Sequence, residues 1–238
     1  MPSVAAVIIG REILTGKFPD ENGPFFIRRL RDLGADLRRL VVVDDDVEAI
    51  ASEVARCSAA HDHVFTTGGV GPTHDDVTLE AVARAFGVEL VLEPRLVELL
   101  SKYDIPQDDA NLRMARIPAG SELHEGQASG YPIVRTRNVW VLPGVPRLVE
   151  LKFETIAPLV RGPGIHARRL LLSVHETDIA ARLSALVAEH PEVDVGSYPR
   201  FGEGDVRVIL TLESRSPDAL DAADAAISAV LPVKGRIG

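Results

Sequence analysis

The sequence predicts an α/β fold, a three-layer α/β/α arrangement around a doubly wound, mostly parallel sheet, followed by a second, small α+β domain. Three observations predict it. Short apolar runs alternate with helix-spaced apolar residues through the first hundred positions, the pattern of repeated βα units. The glycine-rich stretch Thr67-Gly68-Gly69-Val70-Gly71-Pro72-Thr73-His74-Asp75-Asp76-Val77-Thr78 joins one apolar run to a helical pattern. Past Arg161-Gly162-Pro163-Gly164 the order of elements changes.

Val4 to Ile9 reads as a buried strand, and Gly10 to Lys17 as a loop. Phe25, Phe26, Leu30 and Leu33 have helical spacing, and Gly34 stops that helix. A second strand is predicted over 37–43. Val47, Ile50, Val54 and Cys57 step by three and four, so the next helix buries that stripe, with Cys57 as inert core. Val64 to Thr67 is the third strand. Thr78, Val82 and Ala85 continue as a helix, and 88–92 as a short strand that completes a βαβαβα series.

Helices are expected around 94–103 and 109–116. Residues 117–131 are glycine-rich and lack periodicity, which reads as a long surface loop. Val139-Trp140-Val141-Leu142 returns to the sheet, with Trp140 in the core, and a helix over 147–159 follows. With the linker at 161–164, the domains are expected at 1–164 and 165–238. The second reads as βαββα: a strand over 170–174, a helix over 178–189, strands over 193–198 and 206–213, and an alanine-rich helix over 216–230. A unit of that size lies near the lower limit of independent stability, so it is expected to pack on the first domain or on another subunit of a homo-oligomer.

Composition narrows the function classes. Hydrophobic residues make up 46% of the 238, enough for a real core. The net charge of −9 disfavours a general nucleic-acid binder. One cysteine excludes an internal disulfide framework and fits a reducing compartment. No apolar run approaches the roughly 20 residues that span a bilayer, and Met1-Pro2-Ser3 has no basic leader, so a cytoplasmic protein without membrane partners is expected.

The glycine stretch carries the chemistry. Gly68, Gly69 and Gly71 let the backbone present N–H groups to an anion, and the following helix start adds partial positive charge. Two carboxylates, Asp75 and Asp76, beside an anion site make sense if a divalent cation bridges protein and phosphate. One of them could instead cap the next helix, and the two readings are compatible. Asp44-Asp45-Asp46 follows the second strand, and Gly10-Arg11-Glu12 the first. In a doubly wound sheet these strand ends lie together, so all could share one crevice. Asp45 and Glu12 are then further metal ligands and Arg11 a phosphate clamp. An acid-rich helix start and solvated loop charges are the plainer readings.

His74 suits a phosphate donor or general acid. His61 and His63 fall at the opposite end of the third strand. Pro143-Gly144-Val145-Pro146, a second strand-to-helix turn, would form the far wall of the crevice. The loop lacks the third glycine of a dinucleotide fingerprint and the Gly-Lys-Ser/Thr of a P-loop, and no nucleophile triad or zinc-type cysteine pair is present.

The stretch Thr67 to Thr78 resembles the signature of the MoaB/Mog-type molybdopterin-binding domain family, within it the branch of CinA-like proteins and the N-terminal domain of FAD synthase. Gly10-Arg11-Glu12-Ile13-Leu14-Thr15-Gly16 is similar to that branch's first-loop motif, Asn22 to its helix-start asparagine, and Leu142-Pro143-Gly144-Val145-Pro146 to its Leu-Pro-Gly-x-Pro turn. Gly196-Ser197-Tyr198-Pro199 resembles the small domain that follows in FAD synthase. The resemblance implies that Asp45 and Asp76 support catalysis with Mg²⁺, with Mn²⁺ or Co²⁺ as possible substitutes. It implies cleavage of a nucleotide pyrophosphate such as ADP-ribose, a dinucleotide or FAD.

Gly68, Gly69, Gly71, Thr73, His74, Arg11, Asn22, Gly144 and Pro146 are then the ligand-binding set, and Asp75, Asp76, Asp45 and Glu12 the metal set. Two departures stand out. Arg11 occupies the usual aspartate of the first loop, and residues 124–132 replace the Pro-Asn-Pro-Thr-Gly loop of CinA. The resemblance extends neither to the adenylyl-transferring domain of FAD synthase nor to the C-terminal amidase domain of CinA, so FAD synthesis by this chain alone is not expected. Pterin binding or adenylyl transfer in molybdenum cofactor biosynthesis, and a non-catalytic oligomeric or regulatory module, remain as alternatives.

Overall fold

The computed structural model describes residues 1–126, 130–201 and 204–237. It divides into two units, Met1–Gly162 and Pro163–Gly238. No helix among the described residues is long and apolar enough to cross a membrane.

In the first unit, strands β1 (Ser3–Ile9), β2 (Asp36–Val43) and β3 (His63–Thr67) alternate with helices α1 (Arg11–Leu14), α2 (Asn22–Asp32), α3 (Val47–Ala60) and α4 (Thr78–Phe86). There follow β4 (Leu90–Leu92), α5 (Pro94–Lys102), α6 (Asp109–Leu112), β5 (Arg116–Pro118), β6 (Glu122–His124), β7 (Ile133–Thr136), β8 (Val139–Leu142) and α7 (Pro146–Ile156). The main sheet has the order β2-β1-β3-β8-β7-β6. Its first four strands are parallel; β7 and β6 run antiparallel to their neighbours.

Strand β1, an interior strand of the sheet, is apolar from Val4 to Ile9 because both its faces are covered. Val4, Ala6 and Ile8 face a core with Phe26, Leu30, Phe65, Trp140 and Phe153; Ala5, Val7 and Ile9 face another with Ile50, Val54, Val82 and Leu96. Phe26, Phe65 and Phe153 pack with ring centroids 5.2 to 5.6 Å apart, the favoured range for aromatic pairs. Gly34 ends α2 with φ of 70°, as its position predicts. Cys57 is fully buried, and burial together with Glu53 pushes its thiol up to about 12, so it is an inert core residue.

Two expectations need correction. The strand over 88–92 shrinks to β4 and leaves the parallel sheet, pairing with β5 in a separate two-stranded ribbon. Residues 117–131 are not one surface loop: β5 and β6 occupy parts of it, although positions 127–129 lie outside the described residues. These strands are three residues long, too short to show an alternating pattern in the sequence.

The second unit comprises β9 (His166–Leu172), α8 (Glu176–Glu189), β10 (Asp194–Pro199), β11 (Val208–Ser214), α9 (Pro217–Val230) and β12 (Val233–Ile237). Its antiparallel sheet has the order β10-β11-β9-β12, so a last edge strand follows the expected βαββα. Asp224 is buried on α9 and is held by Arg168 at 2.7 Å and Arg236 at 3.1 Å.

Candidate functional site

Parallel pairing brings the C-terminal ends of β2, β1, β3 and β8 to one edge of the first unit. The reversed strand β7 brings its beginning to the same edge. A crevice of about 640 Å³ lies there. That volume suits a nucleotide-sized ligand.

Its floor is the glycine loop. Gly68 and Gly69 have φ of 98° and 62°, which only glycine adopts without strain. A Cβ on Gly68 would run into the carbonyl oxygen of Ile9, and one on Gly69 would lie 2.5 Å from Thr78 Oγ1. Thr78 fixes the turn: its hydroxyl donates to the Gly68 carbonyl at 2.7 Å and its N–H to the Gly69 carbonyl at 2.9 Å. With both carbonyls engaged, the N–H groups of Gly69, Val70 and Gly71 have no partner among the described residues. They form a short array of free donors at the foot of the crevice.

The acids gather around this array. Glu12, Asp45, Asp75 and Asp76 all line the crevice. The Glu12 carboxylate folds back over Gly10, where a Cβ would come within 2.6 Å of it. Asp45 accepts the Arg11 N–H at 2.8 Å. Burial pushes its carboxyl above the usual range; that one hydrogen bond opposes, and the charges of Glu12, Asp75 and Asp44 add to the rise. Asp75 moves the other way, held low by the Thr73 hydroxyl at 2.5 Å. Asp76 accepts both the N–H and the hydroxyl of Thr73, at 2.8 and 2.5 Å, and lies against Gly71. Among the described residues no three of these groups form a ready-made metal cluster.

Several predicted roles shift. Neither Asp75 nor Asp76 caps α4, whose N-cap is Val77 without a side-chain bond, because both carboxylates are turned back to Thr73. In the other acidic run it is Asp46 that caps α3, accepting from Ala49 N at 2.8 Å. Arg11 is engaged with Asp44 at 2.9 Å, on a surface that it shares with Glu12, Asp45, His74 and Asp75. His74 lies on that surface with its side chain 95% exposed, while Thr73 stands behind the acids. His63 meets Trp140 Nε1 at 3.4 Å, and Trp140 is in the core.

Asn22 is 6% exposed and donates to the Gly144 carbonyl at 2.9 Å, while its Oδ1 is buried without a partner among the described residues. Gly144 sits 3.3 Å, measured from an added Cβ, from the Cα of Gly68, so two strand-end turns meet backbone to backbone. Pro146 opens α7 and does not line the crevice.

The other half of the crevice escaped sequence reasoning. Leu79, Met114, Pro132, Val134, Val141 and Leu148 make it apolar, and Tyr131 and Lys152 line it as well. Lys152 donates to the Tyr131 carbonyl, and burial lowers its ammonium pKa. Its signal in the sequence is the i, i+4 spacing to Leu148, which puts both on one face of α7 beside the buried stripe Val149, Phe153, Ile156.

Comparison with known proteins agrees with this architecture. Residues 5–162 match the family model described as "Probable molybdopterin binding domain", and residues 164–237 match "FAD synthase, middle domain". A protein of Archaeoglobus fulgidus is 35% identical over 82% of this chain and 85% of its own length. A "Probable FAD synthase" of Caenorhabditis briggsae is 30% identical over 96% of this chain, and a "CinA-like protein" of Geobacter metallireducens is 37% identical over 82%. The chain spans 49% and 52% of those two relatives. The crystal structure of CinA of unknown function from Thermoplasma acidophilum superposes with a TM-score of 0.61, at 28% identity over 67% of this chain and 99% of that one. The chain therefore belongs to the MoaB/Mog-type molybdopterin-binding domain family, in its CinA-like branch, with a FAD synthase middle domain after it.

Proposed function

We propose that the first unit is a divalent-metal-dependent nucleotide pyrophosphatase, acting on ADP-ribose, a dinucleotide or FAD. The observation that carries this reading is the meeting, in one crevice, of free N–H donors at Gly69, Val70 and Gly71 with the carboxylates of Glu12, Asp45, Asp75 and Asp76. Donors attract phosphate; a surplus of negative charge beside it calls for a cation. Burial is the main cause of the raised Asp45 carboxyl, and the added rise from the charges of Glu12, Asp75 and Asp44 is consistent with that surplus. The donor set is all oxygen, which fits Mg²⁺ and also Mn²⁺.

Asp45, Asp75, Asp76 and Glu12 would hold the metal. When bound, a divalent cation there supplies polarisation of a phosphoryl oxygen and a water of lowered pKa. The chain's own residues do the rest. The glycine-loop N–H groups orient the pyrophosphate, and Thr73 keeps Asp75 and Asp76 turned toward the loop. With the cation in place the proton of the attacking water passes to bulk water, while Asp45 serves as one of the metal-holding carboxylates. The water oxygen bonds to one phosphorus, the bridging P–O bond breaks, and the bridging oxygen leaves with the other phosphate.

The test is a panel of ADP-ribose, NADH and FAD with Mg²⁺, Mn²⁺ or Co²⁺, scored for AMP release. Absence of AMP from every pair sinks the proposal. A second reading, pterin binding or adenylyl transfer to a pterin, is favoured by the apolar half of the crevice, which can take a flat ring. Tight binding of a pterin without hydrolysis of any nucleotide would select it.

A further inference from the structure

The crevice has two chemically distinct ends, and their separation follows from strand order. The carboxylates and free N–H groups sit beyond β2, β1 and β3; Tyr131 and Lys152 sit beyond β7 and β8. Neighbouring strands lie about 4.8 Å apart, so the two steps from β3, which leads into the glycine loop, to β7 span roughly 10 Å. A ligand seated by its phosphates on the glycine loop therefore extends its other half over the β8–β7 end.

That end is largely apolar and carries hydrogen-bonding groups left without a full set of partners among the described residues. Pro132, Val134, Val141 and Leu148 provide the apolar walls. Lys152 carries three N–H bonds, and among the described residues its one hydrogen bond is to the Tyr131 carbonyl. Its carboxylate neighbour is Glu125, itself paired with Arg95 at 2.7 Å. The Tyr131 hydroxyl is buried without a partner among the described residues. A half-buried ammonium with spare donors in an apolar recess costs free energy unless a ligand supplies acceptors.

We infer that Lys152, beside Tyr131, is a specificity-determining residue that reads acceptor atoms on a flat heteroaromatic ring at the far end of the nucleotide. The site then prefers a pyrophosphate carrying such a ring over one that ends in a bare sugar. This rests on the nucleotide reading above, but it concerns the opposite end of the crevice and is tested by binding rather than turnover.

The experiment uses the full chain, with FAD, riboflavin and ADP-ribose as probes, by flavin fluorescence and calorimetry with and without Mn²⁺. The wild type is expected to bind FAD at least about tenfold more tightly than ADP-ribose. Lys152→Met should erase that preference by weakening FAD and riboflavin while leaving ADP-ribose unchanged, and Lys152→Arg should restore part of it. Thermal melting checks that both variants are folded. Equal loss for FAD and ADP-ribose, or no loss for either, overturns the inference. So does a wild type that binds ADP-ribose and hydrolyses it but shows no preference for FAD, in which case the pyrophosphatase reading stands. Lysine-dependent FAD binding with no hydrolysis of any nucleotide supports the inference and removes the pyrophosphatase reading instead.

Discussion

Asn22 Nδ2 donates to the carbonyl of Gly144 at 2.9 Å, joining the start of α2 to the turn between β8 and α7 and leaving Oδ1 buried and, among the described residues, unpartnered. Asn22→Ala removes this bond and a longer one from Nδ2 to Thr67 Oγ1 at 3.4 Å, so it should cost about 1–2 kcal/mol in stability. If Oδ1 meets the ligand, nucleotide affinity should fall about tenfold as well. Chemical denaturation and calorimetry on the same variant separate the two effects; unchanged affinity would assign Asn22 to the scaffold alone.

Asp45 gives a pH prediction. Its carboxyl is raised in the folded chain above its ordinary value of 3.8, chiefly by burial. Below that value the residue leaves stability unaffected; stability then declines as pH rises through the folded value and levels off above it. Asp45→Asn should therefore raise the melting temperature at neutral pH in the presence of a chelator. Adding Mn²⁺ should reverse the ranking, because only the carboxylate gains from the cation. A wild type whose melting temperature ignores Mn²⁺ across this pH range would count against metal binding.

Asp76→Asn keeps an oxygen for the Thr73 N–H and hydroxyl, and the amide has nearly the shape of the carboxylate against Gly71. The fold should persist with a loss of less than about 1 kcal/mol. Metal-dependent AMP release should disappear. Full activity in this variant would be incompatible with the proposed mechanism.

Gly68→Ala faces both a φ of 98° and a collision with the Ile9 carbonyl. It should destabilise the first unit by about 2–4 kcal/mol. Gly144→Ala, whose nearest neighbour would be the Gly68 Cα at 3.3 Å, needs only a small shift and should cost less. Urea unfolding of the pair tests whether the loop is as tightly packed as the geometry requires.

In the second unit, burial pushes the Asp224 carboxyl up, but hydrogen bonds from Arg236, Arg168 and Ser228 outweigh it and hold the group low. Its contribution to stability is present above the ordinary value of 3.8 and is lost as pH falls through the folded value. The arginines remain partly exposed, so Asp224→Ala should cost about 1–3 kcal/mol, below the range for a fully buried pair. Acid unfolding monitored on this unit should start at higher pH in the variant.

What the sequence reveals depends on how local the cause is. The parallel strands and their helices are legible because each carries a run or a stripe of its own, as Val4–Ile9 and Val47 to Cys57 do. The glycine loop is legible because three glycines in four positions have few other uses. The ribbon of β4 and β5 is not, since three-residue strands are defined by their partner rather than by a period. Lys152 and Tyr131 meet across 21 positions of sequence, in a contact that no local spacing announces. The turn of Asp75 and Asp76 toward Thr73 was hidden for another reason: capping and turn-closing use the same residue type, and only the backbone path decides between them.

The reversal of β7 has a consequence for how this architecture can diversify. In an all-parallel sheet, every segment at the functional edge leaves a strand and enters a helix. Here one segment arrives at that edge before its strand begins, and it brings Tyr131 and Pro132 with it. Substitutions in that incoming segment can retune which molecules are admitted without touching the turns after β1, β2 and β3. On the proposed reading, part of the selectivity is then inherited on a stretch of chain separate from the chemistry, free to drift at its own rate.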